Sequence, residues 1–251
     1  MRPVMLLLAL LGFGAVKLPV EQAIDRAKAE LHLRSVVVNF DIREQIGQLG
    51  FVAALSGLRA VVADLLFIDA HVAWERTDWP RVLLLFRQVT TLQPHEILFW
   101  DMAAWHMAWN AGAAALNDRS EPLLALRVKK QREYLALGKE FLERGIRNNP
   151  DRPQLYEALA RLYRDKYADH EHAAEYFGKA AGLPGAASYD RRFAAYELSY
   201  CAGRQREAYQ LLRSLYDSGE RERLPTLIKR LKFLEQQLVI PADQRIPDVV
   251  R

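Results

Sequence analysis

PDRPQLYEALARLYRDKYADHEHAAEYFGKAAGLP, residues Pro150–Pro184, is the stretch that decides the fold. Its apolar residues recur at spacings of three and four in two runs, the pattern of a helix with one buried face. Proline opens the stretch and closes it, and proline stops helices because it lacks the N–H and clashes with the preceding turn. The segment therefore reads as helix, turn, helix, stop. The same punctuation recurs along the chain. Pro94 in QVTTLQPHEILFW, Pro150 in GIRNNPDRPQLY and Pro184 in KAAGLPGAASYD each follow one amphipathic stretch and precede another. Helix, proline turn and helix at a recurring interval is the mark of an α-solenoid. Strand signals are nearly absent; SVVVNF, Ser35–Phe40, is the one short β-like run, so an all-α chain is expected.

Position by position, Pro150–Pro184 resembles a tetratricopeptide repeat. Tyr156 stands at the large aromatic place, Leu159 and Ala160 at the leucine and small places, and Tyr163 at the second aromatic place. Ala173, Phe177, Ala180 and Pro184 follow the second-helix pattern, with one residue inserted and the proline one place early. Small residues in such a pattern let antiparallel helices approach closely, and the large ones fill the space between neighbouring hairpins. A weaker copy lies before Pro94, with Ala70, Val82, Phe86 and Val89 at motif places and Asp69 where leucine is expected. Between them, WDMAAWHMAWN (Trp100–Asn110) supplies Trp100, Ala103, Ala104 and Met107, and YLALGKEFLERGIRNNP supplies Gly138, Leu142 and Gly145. That copy needs an insertion around Ala111–Arg132, about twenty residues beyond the usual period. A fourth copy, YELSYCAGRQREAYQLLRSL, keeps Gly203 and Ala208; ERLPTLIKRLKFLEQQL then reads as a capping helix.

The segment Ile42–Trp74 also resembles the N-terminal part of a group of membrane-anchored bacterial repeat proteins, with an arginine–alanine–aspartate helix at Arg59–Asp64. Together the resemblances imply an α-solenoid of about four degenerate hairpins over residues 21–238, and an extended, proline-marked tail over 239–251. They imply a scaffold and carry no known catalytic residue. A transmembrane reading of the apolar run before Trp74 is disfavoured, because Arg59, Asp64 and Asp69 inside it would be costly.

All five tryptophans fall between Trp74 and Trp109. At about 100° per residue, Trp100, Ala103, Ala104 and Met107 share one helix face, while Trp105 and Trp109 point roughly opposite with Asp101 beside them. The first face is expected to be repeat core. The second falls on the places that line the concave groove of tetratricopeptide proteins, where extended peptides bind. The matching places hold Asp64, Phe67, His71, Trp74 and Glu75 in the first repeat, and Gln154, Glu157, Arg161 and Arg164 in the third. The resemblance thus implies a partner-binding groove with an aromatic centre and a basic end, formed by Phe67, His71, Trp74, Asp101, Trp105, Trp109, Gln154, Glu157, Arg161 and Arg164. Tryptophan and arginine are the usual anchors of protein interfaces. The plain alternative is that the insertion after Asn110 folds back and covers Trp105 and Trp109 as extra core.

Composition bounds the rest. A net charge of +4 is too small to imply nucleic acid without a concentrated patch, and Cys201, the only cysteine, excludes a disulfide framework or a cysteine-rich metal cluster. None of the six histidines has ligand spacing for a metal; the close pair in DHEH, His170 and His172, does not share a helix face. No glycine-rich phosphate loop, dinucleotide fingerprint or nucleophile–base pair is found, so no cofactor, small-molecule substrate or catalytic residue is expected. Basic residues in RVKKQREYLALGK raise anionic lipid headgroups as a minor reading. The N-terminal MRPVMLLLALLGFGAVKLPV carries Arg2 and an uncharged run, Val4–Val16, short for a bilayer of roughly 30 Å. It suits a secretory leader, or a short anchor over residues 1–20 with Lys17 snorkelling; a buried helix is the third reading. The expectation is a non-enzymatic protein–protein scaffold of the bacterial cell envelope, membrane-anchored or exported. A permanent structural subunit is the first alternative, and an enzyme or lipid-surface binder on a repeat scaffold the second.

Overall fold

The computed structural model describes residues 57–247. The leader, the Ser35–Phe40 run and most of the segment before Arg59 lie outside the described residues. Among those described, every regular element is helical. The chain divides into two compact units, Met1–Met107 and Ala108–Arg251.

In the first unit, α1 (Arg59–Glu75) packs on α2 (Trp79–Leu92), and α2 on α3 (Ile97–Trp105). The reversal between α1 and α2 is built by Thr77, in the left-handed region at φ 56°, and by Asp78, whose carboxylate caps α2 by accepting the Arg81 N–H at 3.2 Å. Pro80 sits in the first turn of α2, where its missing N–H costs nothing. The motif places of this repeat are the buried ones: Ala70, Val82, Phe86 and Val89 are all fully enclosed. The apolar run is not buried all round, however. Val61, Leu65, Ile68 and Val72 of α1 are 37–61% exposed, a stripe at four- and three-residue spacing on the face away from α2.

The helical run that begins with α3 passes through a π-helical turn, His106–Ala111, within which the two units are divided, and continues as α4 (Gly112–Leu116). Apart from His106, its buried residues are Phe99 and Trp100, Ala103 and Ala104, Met107 and Ala108, Ala111 and Gly112, then Ala115. They repeat every four residues. A pure α-helix would rotate such a set by about 40° per step. The wider π turn takes up that drift, so one stripe stays buried along the run.

The second unit continues with α5 (Leu124–Asn148), α6 (Pro153–Leu162), a π-helical turn (Tyr163–Tyr167), α7 (His170–Ala181), α8 (Asp190–Leu198), α9 (Gln205–Asp217) and α10 (Pro225–Gln237). From α4 to α10 each helix packs on the next. The expected insertion is therefore no separate lobe: α4 and the 25-residue α5 lengthen the two arms of a hairpin, and only residues 117–123 lie between them. The seam of the deciding stretch is closed, with Leu159, Ala160, Ala173, Phe177 and Ala180 all at 0% exposure and Tyr163 at 8%. The one-residue insertion needed to align that stretch coincides with the π turn, which ends at Ala168 in the left-handed region (φ 51°). Asp169 then caps α7 through the His172 N–H at 3.0 Å.

Gly203 takes φ +79° at the turn between α8 and α9, a conformation that favours glycine. Ala195, Leu198, Ala208 and Leu212 of that hairpin share a core with Leu227, Leu231 and Leu234 of α10. The tail, expected to run extended, is docked over its described part: the Ile246 N–H donates to Glu235 at 2.7 Å, and Ile246 is only 2% exposed. A 3-10 turn, Ala242–Gln244, interrupts it.

Candidate functional site

In the first unit, α1 and α3 present two kinds of face. Trp100 is 1% exposed and its indole N–H donates to the Pro94 carbonyl at 2.9 Å, so the first tryptophan of WDMAAWHMAWN belongs to the core. Trp105 is 48% exposed and Trp74 is 38% exposed. Asp64, Glu75 and Asp101 are exposed as well, so these tryptophans are accompanied by carboxylates.

Beneath Trp74 lies an aromatic–imidazole cluster. Phe67 is half-buried and packs its ring against Phe99 (5.1 Å), Phe86 (5.9 Å) and His71 (4.5 Å). His71 in turn meets His106 edge-on at 5.5 Å, and Trp74 lies 5.2 Å from the same His106 ring. The Nδ1 of His71 is 2.9 Å from the Phe67 carbonyl oxygen, which can only accept, so Nδ1 carries the proton and Nε2 is left to accept in the neutral ring. Burial, with a smaller effect from His71, lowers the His106 pKa to about 4. His106 is therefore neutral at physiological pH. Phe67 and His71, expected as groove contacts, form the support of Trp74. The sequence reading missed His106 because it falls where the π turn begins, off the face that strict α periodicity assigns.

The second unit holds the remaining candidates. Gln154 is exposed. Glu157 is not a surface contact: it is 8% exposed and accepts from Arg161 at 2.7 Å and from the Tyr189 hydroxyl at 3.0 Å. Arg164 is bound to Asp165 at 2.7 Å, which holds its pKa up, and its guanidinium lies over Phe177 and Phe193 at 5.8 and 5.7 Å. Each arginine of the expected basic end thus meets a carboxylate of its own. The charge is neutralised, while the planar cations remain partly exposed. Trp109 is half-buried, with the Lys166 ammonium 5.3 Å above its ring.

Sequence reasoning also missed Asp190, the first residue of α8. It is fully buried, its Oδ2 accepts from the Ala187 N–H at 3.1 Å, and burial together with the charge of Glu157 raises its pKa to about 6. Its position two turns from any motif place gave no signal. Among the described residues no group of three histidine, cysteine, aspartate or glutamate side chains could hold a metal ion. Cys201 is buried and its thiol pKa is pushed up, chiefly by burial, which disfavours the reactive thiolate. Among the described residues no helix is long and apolar enough to cross a membrane. No protein-family model matches the chain, and comparison with curated proteins gives no significant match.

Proposed function

We propose that the chain is a tetratricopeptide-type α-solenoid that holds a partner protein at the bacterial cell envelope and performs no chemistry of its own. The observation that carries this reading is the pair Trp74 and Trp105, left 38% and 48% exposed on helices whose other face, with Ala70 and Ala103, is buried. Leaving large aromatic surface in water forgoes a favourable burial, and a partner that covers it recovers that free energy at low entropic cost. Arg161, Arg164, Gln154 and Trp109 with Lys166 form the second contact region. The tetratricopeptide assignment is supported by the burial of Ala70, Trp100, Leu142, Ala160, Ala173 and Ala208 at motif places, while Pro184 and Gly203 stand exposed at turns. Envelope attachment rests on the apolar run in residues 1–20.

The test is affinity capture with the full chain and its Trp105→Ala and Trp74→Ala variants, alongside melting curves. Loss of a discrete captured protein at unchanged Tm supports the reading. A large fall in Tm would place both rings in the core and remove its basis. Stoichiometric, salt-resistant co-purification would instead make the chain a permanent subunit.

A further inference from the structure

A second surface lies apart from the tryptophans, at the tip of the α4–α5 hairpin. Leu123, Leu124 and Leu126 are 59%, 59% and 46% exposed, three large aliphatic side chains within one helical turn. No residue from Leu124 to Tyr134 is buried; the core face of α5 begins at Leu135. Around these leucines the segment Asn117–Arg132 carries Arg119, Arg127, Lys129, Lys130 and Arg132 against only Asp118 and Glu121.

The two carboxylates are occupied locally. Asp118 accepts from the Ser120 N–H and hydroxyl, at 3.0 and 2.6 Å, and Glu121 accepts from the Leu123 N–H at 2.9 Å. The ion pairs among the described residues include none with Arg119, Lys129, Lys130 or Arg132. On α5, Leu126 and Lys130 fall within about 40° of each other, with Lys129 about 60° from Leu126, and Leu123 is the extended residue that leads into the helix.

Exposed leucines beside a surplus of cations fit one environment in particular. A lipid–water interface takes aliphatic tips below its headgroups and offers anionic phosphate at the level of the ammonium groups. The leucines stand at a hairpin tip where no residue from Leu124 to Tyr134 is buried, which suits insertion into lipid more than a groove for a protein segment. We infer that the α4–α5 hairpin tip is a membrane-docking element for anionic bilayers, inserting Leu123 and Leu126 while Lys129 and Lys130 meet the headgroups. This inference does not depend on the tryptophan face. It also differs from attachment by residues 1–20, which would act on neutral and anionic lipid alike.

The experiment uses the full chain with an environment-sensitive fluorophore on the Leu126→Cys, Cys201→Ala variant. Vesicles of phosphatidylcholine alone are compared with equimolar phosphatidylcholine and phosphatidylglycerol. The fluorophore is expected to shift to the blue on the anionic vesicles only, and the shift to fade as salt is raised. Lys129→Gln with Lys130→Gln should weaken partitioning to anionic vesicles by roughly thirtyfold, about a factor of five for each charge, at unchanged Tm. A blue shift equally large on neutral vesicles, or chain bound to anionic vesicles with an unshifted fluorophore, would overturn the proposal. So would a blue shift that grows with protein concentration in the absence of lipid, which would assign the leucines to a contact between copies.

Discussion

Acidification should weaken the first unit through His106. An unfolded histidine titrates near 6.5, and burial lowers this one to about 4, so between those values the unfolded chain binds more protons than the folded one. Stability contributed by the neutral ring is therefore whole above pH 6.5 and is lost as the pH falls toward 4. Linkage gives a loss at pH 5 of about 2 kcal/mol relative to pH 8, nearer 1 kcal/mol once partial solvation is allowed for. For a chain of this size that corresponds to a Tm lower by roughly 2 to 8 °C. The perturbation that isolates the effect is His106→Phe, whose ring suits a site already bordered by Phe86 at 5.4 Å and Trp74 at 5.2 Å. The assay is Tm against pH from 8 to 5 for both chains, followed by tryptophan fluorescence, with an NMR titration of the His106 ring. The wild-type curve should fall more steeply than that of the variant, and the ring should titrate near 4. Parallel curves, or a midpoint above 6, would refute the reasoning.

Other perturbations follow from the same packing. Asp190 has the opposite sign: its pKa is raised to about 6, so its contribution is present below its ordinary range and lost as the pH rises through 6. Asp190→Asn should raise Tm at pH 8, by at most about 3 kcal/mol in stability, and give no advantage at pH 4. Ala168→Gly, at the left-handed φ of 51°, should stabilise by about 1 kcal/mol, read from denaturant midpoints. Ala160→Leu adds three carbons to a seam with 0% exposure and should cost about 1–3 kcal/mol or more, measured the same way.

Much of this fold is legible from where small residues stand. Ala70, Ala103, Ala104, Ala160, Ala173 and Ala180 are read from sequence as helix-contact places, and each is closed in the structure, because two helices can approach only where a side chain is short. What the sequence concealed were departures from the α-helix. The π turn at Tyr163–Tyr167 presents itself in sequence only as a misfit of one residue, and the one at His106–Ala111 as apolar pairs spaced by four. The site was less legible than the fold for a further reason. A helix position fixes direction but not what a charged group finds there, and Glu157, Arg161 and Arg164 found partners from their own helix, from the adjoining π turn or from α8.

The central claim is that Trp74 and Trp105 are a contact surface for another polypeptide. A photo-crosslinking amino acid placed at position 74 or 105, with position 84 as an exposed apolar control on α2 (Leu84, 53% exposed), tests it most directly in cells. One discrete protein adduct from positions 74 and 105, absent from position 84, is the predicted result. An adduct from position 84 alone, or none from any of the three, would contradict it.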